Sequence, residues 1–312
     1  MIVTPAQVLP ATHQAFGLFW HFPFSFPLFR VVPSDVPADV VVELGILPPP
    51  SPDARLAGPL RLAEPGKVRF GLPGVAKVLV TNGERILVER DPGGSEETLR
   101  LLLMGTVAAL LLHQRGYLPL HGSGVVTPYG AVLFVGHSGV GKSTVLGALL
   151  KRGYSMICDD LAALRLDEDG VTRVCPGAPL YKLWADSAEA LDLATTDLHR
   201  ARLELEKFLV PVPDRQISVP VPVHAIYQLS THHQPMVSFE PRDDAGRFNV
   251  LLDHTWQKLA LKRMGLHGAH FQRTVALART TRVVSVRRPS RKTVDVDELA
   301  ERLEINFLTD LP

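Results

Sequence analysis

Cysteine is nearly missing from this chain: Cys158 and Cys175 are the only two in 312 residues. Two cysteines cannot build the multi-bridge framework of a small secreted domain, and neither stands at a metal-ligand spacing. Excess charge is lacking too. Thirty-three Lys and Arg face 32 Asp and Glu, a formal net charge of +1, so no global field draws the chain to nucleic acid or to an anionic membrane. Long apolar runs are also wanting. The stretch 101–112 (LLLMGTVAALLL) has the length of a buried core helix and is too short to span a bilayer. The N-terminus has neither the basic stretch nor the small-residue cleavage site of a signal peptide. Internal repeats and long low-complexity tracts are absent. Together these absences set the expectation of a reduced, cytoplasmic protein. Hydrophobic residues at 46% and charged residues at 21% are ordinary for a globular chain and argue against disorder.

What the chain does hold is a phosphate-binding pattern. Gly136, His137, Ser138, Gly139, Val140, Gly141, Lys142 and Ser143 fit G-x-x-x-x-G-K-[ST], and Thr144 continues it. The apolar run 131–135 (AVLFV) leads in. Residues 144–150 (TVLGALL) follow at helical period until Lys151, Arg152 and Gly153 close them. Strand, glycine loop and helix in that order suit phosphate chemistry. The glycines let backbone N–H groups turn inward, and the helix N-terminus adds a favourable dipole. Lys142 is expected to reach the β- and γ-phosphates, and the Ser143 hydroxyl to sit on Mg²⁺. The bland alternative is a glycine-rich turn with no ligand. The flanking strand and helix favour the nucleotide, so the expected ligands are ATP and Mg²⁺.

Residues 1–94 read as a β-rich region punctuated by proline, and 95–312 as the catalytic domain. In 22–28 (FPFSFPL) apolar residues alternate, which predicts an edge strand docked on the core rather than an exposed peptide-binding ledge. Residues 38–44 read as a strand and 48–52 (PPPSP) as a stiff turn or linker. Strands 77–81 and 84–89 flank Asn82-Gly83, a hairpin signal because both turn positions tolerate positive φ. Ser95 caps a helix with Glu96 and Glu97 in its first turn, running to about Gln114 and ended by Gly116. Strands near 122–126, 131–135 and 155–158 follow, then a second hairpin, 161–166 with 171–174. Beyond Pro211, short strands (225–229, 237–239, 283–286) alternate with helices near 250–264, 267–279 and 295–304.

Asp159 and Asp160 arrive only seventeen residues after Lys142, at the end of the buried strand SMIC (155–158). One helix and one strand separate them from the loop, which places them beside it. Side chains alternate along an extended chain, so one carboxylate is expected to face the metal and the other an incoming hydroxyl. Phosphoryl transfer needs that division. Aspartates at strand ends also close turns, and that reading stands beside the catalytic one. His121 opens Leu120-His121-Gly122-Ser123-Gly124 on the preceding strand. By itself a lone histidine is more often an ordinary surface or core residue.

These stretches together resemble the catalytic domain of HPr kinase/phosphorylase. LHGSGVV (120–126), AVLFVGHSGVGKST (131–144), KRGY (151–154) and ICDD (157–160) follow that family's order and spacing, strongly over 120–160 and loosely over most of 95–290. The order around PGAPLYKLW (176–184) is similar to HPr-kinase-like proteins found beside peptide-modifying enzymes, lasso-peptide tailoring kinases among them. The resemblance implies an α/β fold, a P-loop kinase core of HPr kinase/PEP carboxykinase type with a mixed sheet, preceded by a smaller β-rich region. It implies that Gly136, Ser138, Gly139, Val140, Gly141, Lys142, Ser143 and Thr144 cradle ATP. Asp159 would be the general base towards a serine hydroxyl, Asp160 with Ser143 would hold Mg²⁺, and His121 would lie close to the reacting phosphate. The chain departs from the family where a glutamate, an arginine and glycines are expected. Ala178 to Trp184 stand there instead, with Lys182 the available positive charge, so HPr itself is not the implied substrate.

Between Lys258 and Lys292 stand ten Lys and Arg and no acidic residue. This is a solvated basic face or a patch for an acidic or phosphorylated partner. No nucleic-acid motif accompanies it. His267 and His270 share a helix spacing without an evident third ligand, and Lys207 is a candidate phosphate contact. The expected activity is an ATP- and Mg²⁺-dependent kinase acting on a serine hydroxyl of a peptide or small protein, with no nucleic-acid or membrane partner. A homo-oligomer is compatible with the sequence. The alternatives are a kinase of free serine or another small hydroxyl compound, and a non-catalytic nucleotide-dependent binding module.

Overall fold

The computed structural model describes residues 11–309 except 34, 59–60, 203–204, 235 and 291–294. Arg291 and Lys292 of the basic stretch therefore lie outside the described residues. Two tight turns organise the first half. Phe16-Gly17 joins strands Thr12–Ala15 and Leu18–His21, and Asn82-Gly83 joins Ala76–Thr81 and Arg85–Arg90. All four turn residues have positive φ, from 51° to 72°, the pattern whose twist matches paired strands. These hairpins belong to one nine-stranded sheet that ends, at its far edge, in Arg61–Glu64 and the two-residue strand Arg55–Leu56.

The edge strand expected at 22–28 is not there. Residues 22–28 run irregularly between Leu18–His21 and Arg30–Val32. Pro23 and Pro27 remove ladder donors, and the chain folds back so that Phe22 and Phe26 stack with ring centroids 3.9 Å apart. Both are buried beside Trp20 and Phe29, which also removes the exposed-ledge reading.

Ser95 accepts a hydrogen bond from the Thr98 N–H at 3.2 Å and starts a helix. This helix runs through Glu96–Leu102, a π turn at Leu103–Val107 and Ala108–Gln114, and ends at Gly116 with φ +81°. One apolar cluster joins Trp20, Val42 and Val78 of the sheet, Leu99 to Leu112 of this helix, and Leu161, Cys175 and Leu261 further on.

The second half is built on a mixed sheet. In spatial order run Ser155–Cys158, Gly122–Thr127, Gly130–Val135, Val221–His232, Arg282–Pro289 and Ser238–Pro241. The pairs made by Val221–His232 with Gly130–Val135 and with Arg282–Pro289 are parallel; the others are antiparallel. Gly130–Val135 is buried on both faces. Val132 and Phe134 pack towards helices Lys142–Lys151 and Val296–Thr309. Ala131, Leu133 and Val135 pack towards Asp244–His254 and His267–Thr280.

The helix expected near 250–264 lies earlier, at Asp244–His254, because the Asp243 carboxylate caps it by accepting from the Gly246 N–H at 2.8 Å. The chain leaves the helix at Thr255, in extended conformation, and the following turns include Gln257 at φ +59°. A three-stranded sheet, Leu180–Trp184 with Leu205–Pro211 and His199–Arg202, was not legible in advance and sits beside the loop. Among the described residues no helix is long and apolar enough to cross a membrane.

Candidate active site

The phosphate-loop pattern occupies the expected junction between Gly130–Val135 and the helix Lys142–Lys151. Two of its glycines are obligatory for clear reasons. A Cβ on Gly136 would meet the Leu229 carbonyl oxygen at 2.6 Å, and Gly141 enters the helix at φ +101°, a region costly for L side chains. Arg288, at the end of strand Arg282–Pro289, donates to the Val140 carbonyl through Nη2 at 2.7 Å and Nε at 3.2 Å, pinning the loop from behind. Lys142 folds back: its Nζ donates to the carbonyls of Gly136 at 2.9 Å and His137 at 3.2 Å. Burial lowers the Lys142 ammonium from its ordinary value, with Asp159 and Asp160 opposing the shift.

Strand Ser155–Cys158 delivers the two aspartates, but not by simple alternation. The strand ends at Cys158, and Asp160 adopts φ +68°, a left-handed conformation that aspartate tolerates better than most residues. The turn brings both carboxylates to one cleft, which they line with His121, Ser138, Gly139, Gly141, Lys142, Ser143 and Thr144. Two predicted residues stand apart. Gly136 is buried behind the loop and offers its carbonyl to Lys142, while the Val140 side chain packs on the apolar cluster beneath.

Asp159 is held by three donors. Its Oδ1 accepts from the hydroxyls of Ser143 at 2.9 Å and Ser123 at 2.7 Å, and its Oδ2 from the Lys182 backbone N–H at 2.8 Å. Asp160 pairs with Lys182 Nζ at 2.6 Å. Burial favours the neutral form of Asp160, but Lys182, aided by His121, outweighs it and lowers the carboxyl to about 2. His121 donates Nδ1–H to the Asp160 backbone carbonyl at 3.0 Å, since a carbonyl only accepts. Its ring meets Trp256 edge-on at 5.2 Å, and its pKa is lowered by burial and by Lys142 against the pull of Asp160.

The new sheet supplies the remaining wall. Lys182, Trp184 and Lys207 line the cleft, with Lys207 Nζ 5.6 Å from the centre of the Trp184 ring. Thr144 reaches the same wall by donating to Ser187 Oγ at 3.0 Å. Ser123, Trp184, Ser187 and Arg288 were not singled out by motif. Ser123 alone carried a signal, standing two residues after His121 in the HGSG run, on the face shared with it.

The donor set fits a small divalent cation. Ser143 Oγ and the two carboxylates are hard oxygens, and Mg²⁺ is held by one or two carboxylates together with substrate phosphates rather than by an all-protein cage. Among the described residues, no group of three or more His, Cys, Asp or Glu is placed to hold a metal. His267 and His270 form no such group. Cys158 is a buried core residue whose thiol is pushed up by burial.

No protein-family model matches the chain, and no curated protein matches it. Among solved structures it is similar to the Hpr(Ser) kinase/phosphatase from Coxiella burnetii, at 16% identity and a TM-score of 0.33, over 61% of this chain and 96% of that one. A likeness of that size leaves the functional reading to the cleft itself.

Proposed function

We propose that this protein is an ATP- and Mg²⁺-dependent kinase of HPr kinase type that phosphorylates a serine hydroxyl on a peptide or small protein. The observation that carries this is the hydrogen bond from Ser143 to Asp159. It ties the residue expected on the metal to the acidic pair, so a triphosphate bound in the loop would share one cleft with the carboxylates. A glycine turn without a ligand has no need of this link.

Bound Mg²⁺ would neutralise charge on the phosphates. Lys142 exchanges the Gly136 and His137 carbonyls for phosphate oxygens, and the N–H groups of 139–144 surround them. The bonding supports an exchange of the two aspartate roles assigned from sequence. Asp159, already shared between Ser143 and Ser123, belongs on the metal side. Asp160, beside His121, faces the acceptor and takes the serine proton as the new O–P bond forms and the bond to the ADP oxygen breaks. Lys182 compensates the transferred charge where the family's arginine is missing. Trp184, partly exposed at the rim, and Lys207 give a surface that favours a peptide over free serine.

The test is paired. Asp160→Asn should lower transfer of labelled phosphate to acceptor peptides by roughly 10²–10⁴-fold, the span of general-base catalysis, with ATP affinity within a few fold of wild type. Asp159→Asn should instead lose the Mg²⁺-dependent part of ATP binding. Normal turnover by Asp160→Asn would remove it as the base.

A further inference from the structure

A second cavity lies in the first sheet, away from the phosphate loop. It is an open groove of about 590 Å³ between the proline segment 48–50 and the last strands of the sheet, with walls of Ile46, Leu47, Leu56, Leu62 and Phe70. None of its lining residues belongs to the phosphate cleft. The walls are pre-formed. Leu47 N–H donates to Glu89 at 2.7 Å, and Arg69 Nη2 donates to the Pro49 carbonyl at 3.0 Å. Ser51 is bonded to Glu64. A proline segment tied at three points gives up little entropy when a ligand arrives.

Two features of this groove have no internal explanation. Ile46 and Leu56 stand 86% and 75% exposed at its mouth. Arg61 lines it half-buried over the Phe70 ring at 5.2 Å, and its buried Nε has no hydrogen-bond partner. No carboxylate among the described residues pairs with this guanidinium, and the one acid of the lining, Glu89, is already taken by Lys77 at 2.7 Å and by Leu47. Burial lowers the Arg61 pKa, the mark of a cation that has lost water and gained no anion. Such a group costs free energy that an incoming carboxylate would offset. Arg69 and Lys77 keep the lining net positive.

We propose that this groove binds an extended peptide segment in which aliphatic side chains flank a carboxylate, and that the segment belongs to the phosphoacceptor. The second clause rests on the kinase reading; the first does not. Aliphatic side chains fill the walls beside Ile46, Leu56 and Leu62, and the carboxylate meets Arg61. A peptide suits the site better than an acyl chain. Among the described residues the sheet ends here in Arg55–Leu56, paired on one side only, and the open edge of a strand offers main-chain hydrogen bonds that an extended peptide satisfies and a lipid does not. Docking at a site separate from the chemistry lets a kinase recognise its acceptor through residues remote from the reacting serine.

Selection of a displayed library of random twelve-residue peptides against the full chain, without nucleotide, tests this. Enriched peptides should carry Asp or Glu between aliphatic residues. Their affinity, read by fluorescence anisotropy, should fall at least tenfold in Arg61→Leu and in Ile46→Asp, the latter at a position too exposed to threaten folding. It should be unchanged in Lys142→Ala. Enrichment without an acidic residue, equal binding to both groove variants, no enrichment above bare support, or tight binding of dodecanoate in place of peptide would each overturn the proposal. If groove binding holds while phosphotransfer fails, the kinase reading falls alone. If transfer to a groove-binding acceptor keeps its KM in Arg61→Leu, the groove falls alone.

Discussion

Asp160 shows how much a single backbone angle decides. The sequence placed two carboxylates at a strand end beside the loop, and they are there. The alternation argument that divided their roles does not apply, because Asp160 lies past the strand at φ +68°. Its side chain is turned by the local geometry and held by Lys182. Asparagine tolerates the left-handed region, whereas alanine pays roughly 1–2 kcal/mol for it. Asp160→Ala should therefore unfold at lower denaturant than Asp160→Asn by about that amount. Both variants lose the ion pair with Lys182, so the difference reports the backbone angle together with the hydrogen bond that an asparagine oxygen still accepts from Lys182; equal midpoints would mean that the angle carries no strain. The partners of the acidic pair were less legible than the pair itself. Ser123 and Lys182 reach Asp159 across 36 and 23 residues of sequence, and Arg288 reaches the loop across 148. Contacts of that range leave no local pattern to read.

At the scale of elements, local chemistry was legible where a turn or cap dictates it. Asn82-Gly83 and Ser95 stand as expected; Phe16-Gly17 escaped notice because phenylalanine rarely occupies positive φ. Gly83→Ala should destabilise the protein by about 1–2 kcal/mol in thermal or denaturant unfolding. Alanine would face both the φ of +72° and Arg115 Cγ at 2.5 Å, and an unchanged midpoint would refute the turn argument. The packing of the long helix against His267–Thr280 holds a second consequence. His113 and His270 are buried with ring centroids 5.6 Å apart. Burial is the main cause lowering both, His113 to about 3 and His270 to about 4. The unfolded chain binds these protons near pH 6.5, so it holds more protons than the folded state below that pH. Stability is full above pH 6.5 and is lost as pH falls towards 4 and then 3. The unfolding free energy from urea melts measured from pH 7.5 to 5 should decline, by on the order of 1–2 kcal/mol per histidine. His113→Gln should flatten the decline, and an unchanged slope would exclude these residues as its source.

Across the whole molecule, the strand–loop–helix order and the adjacency of the loop to the acidic pair were readable from residues close in sequence, whereas the mixed sheet was implied only by the family resemblance. The composition of the site floor was not. Phe16 from the first hairpin, Met104 from the π turn and Leu180 from the small sheet enclose the apolar space beneath Asp159 and Asp160. The first sheet is thus built into the support of the cleft, which no motif in 11–94 announces. The central claim is that this cleft holds ATP with Mg²⁺ through Lys142, Ser143 and Asp159. Calorimetric titration of the full chain with ATP, with Mg²⁺ and again with EDTA, tests it most directly when repeated on Lys142→Ala. The account predicts saturable one-to-one binding that weakens at least tenfold when Mg²⁺ is removed and at least tenfold in Lys142→Ala. No binding by the wild-type chain, or equal binding by the variant, would contradict it.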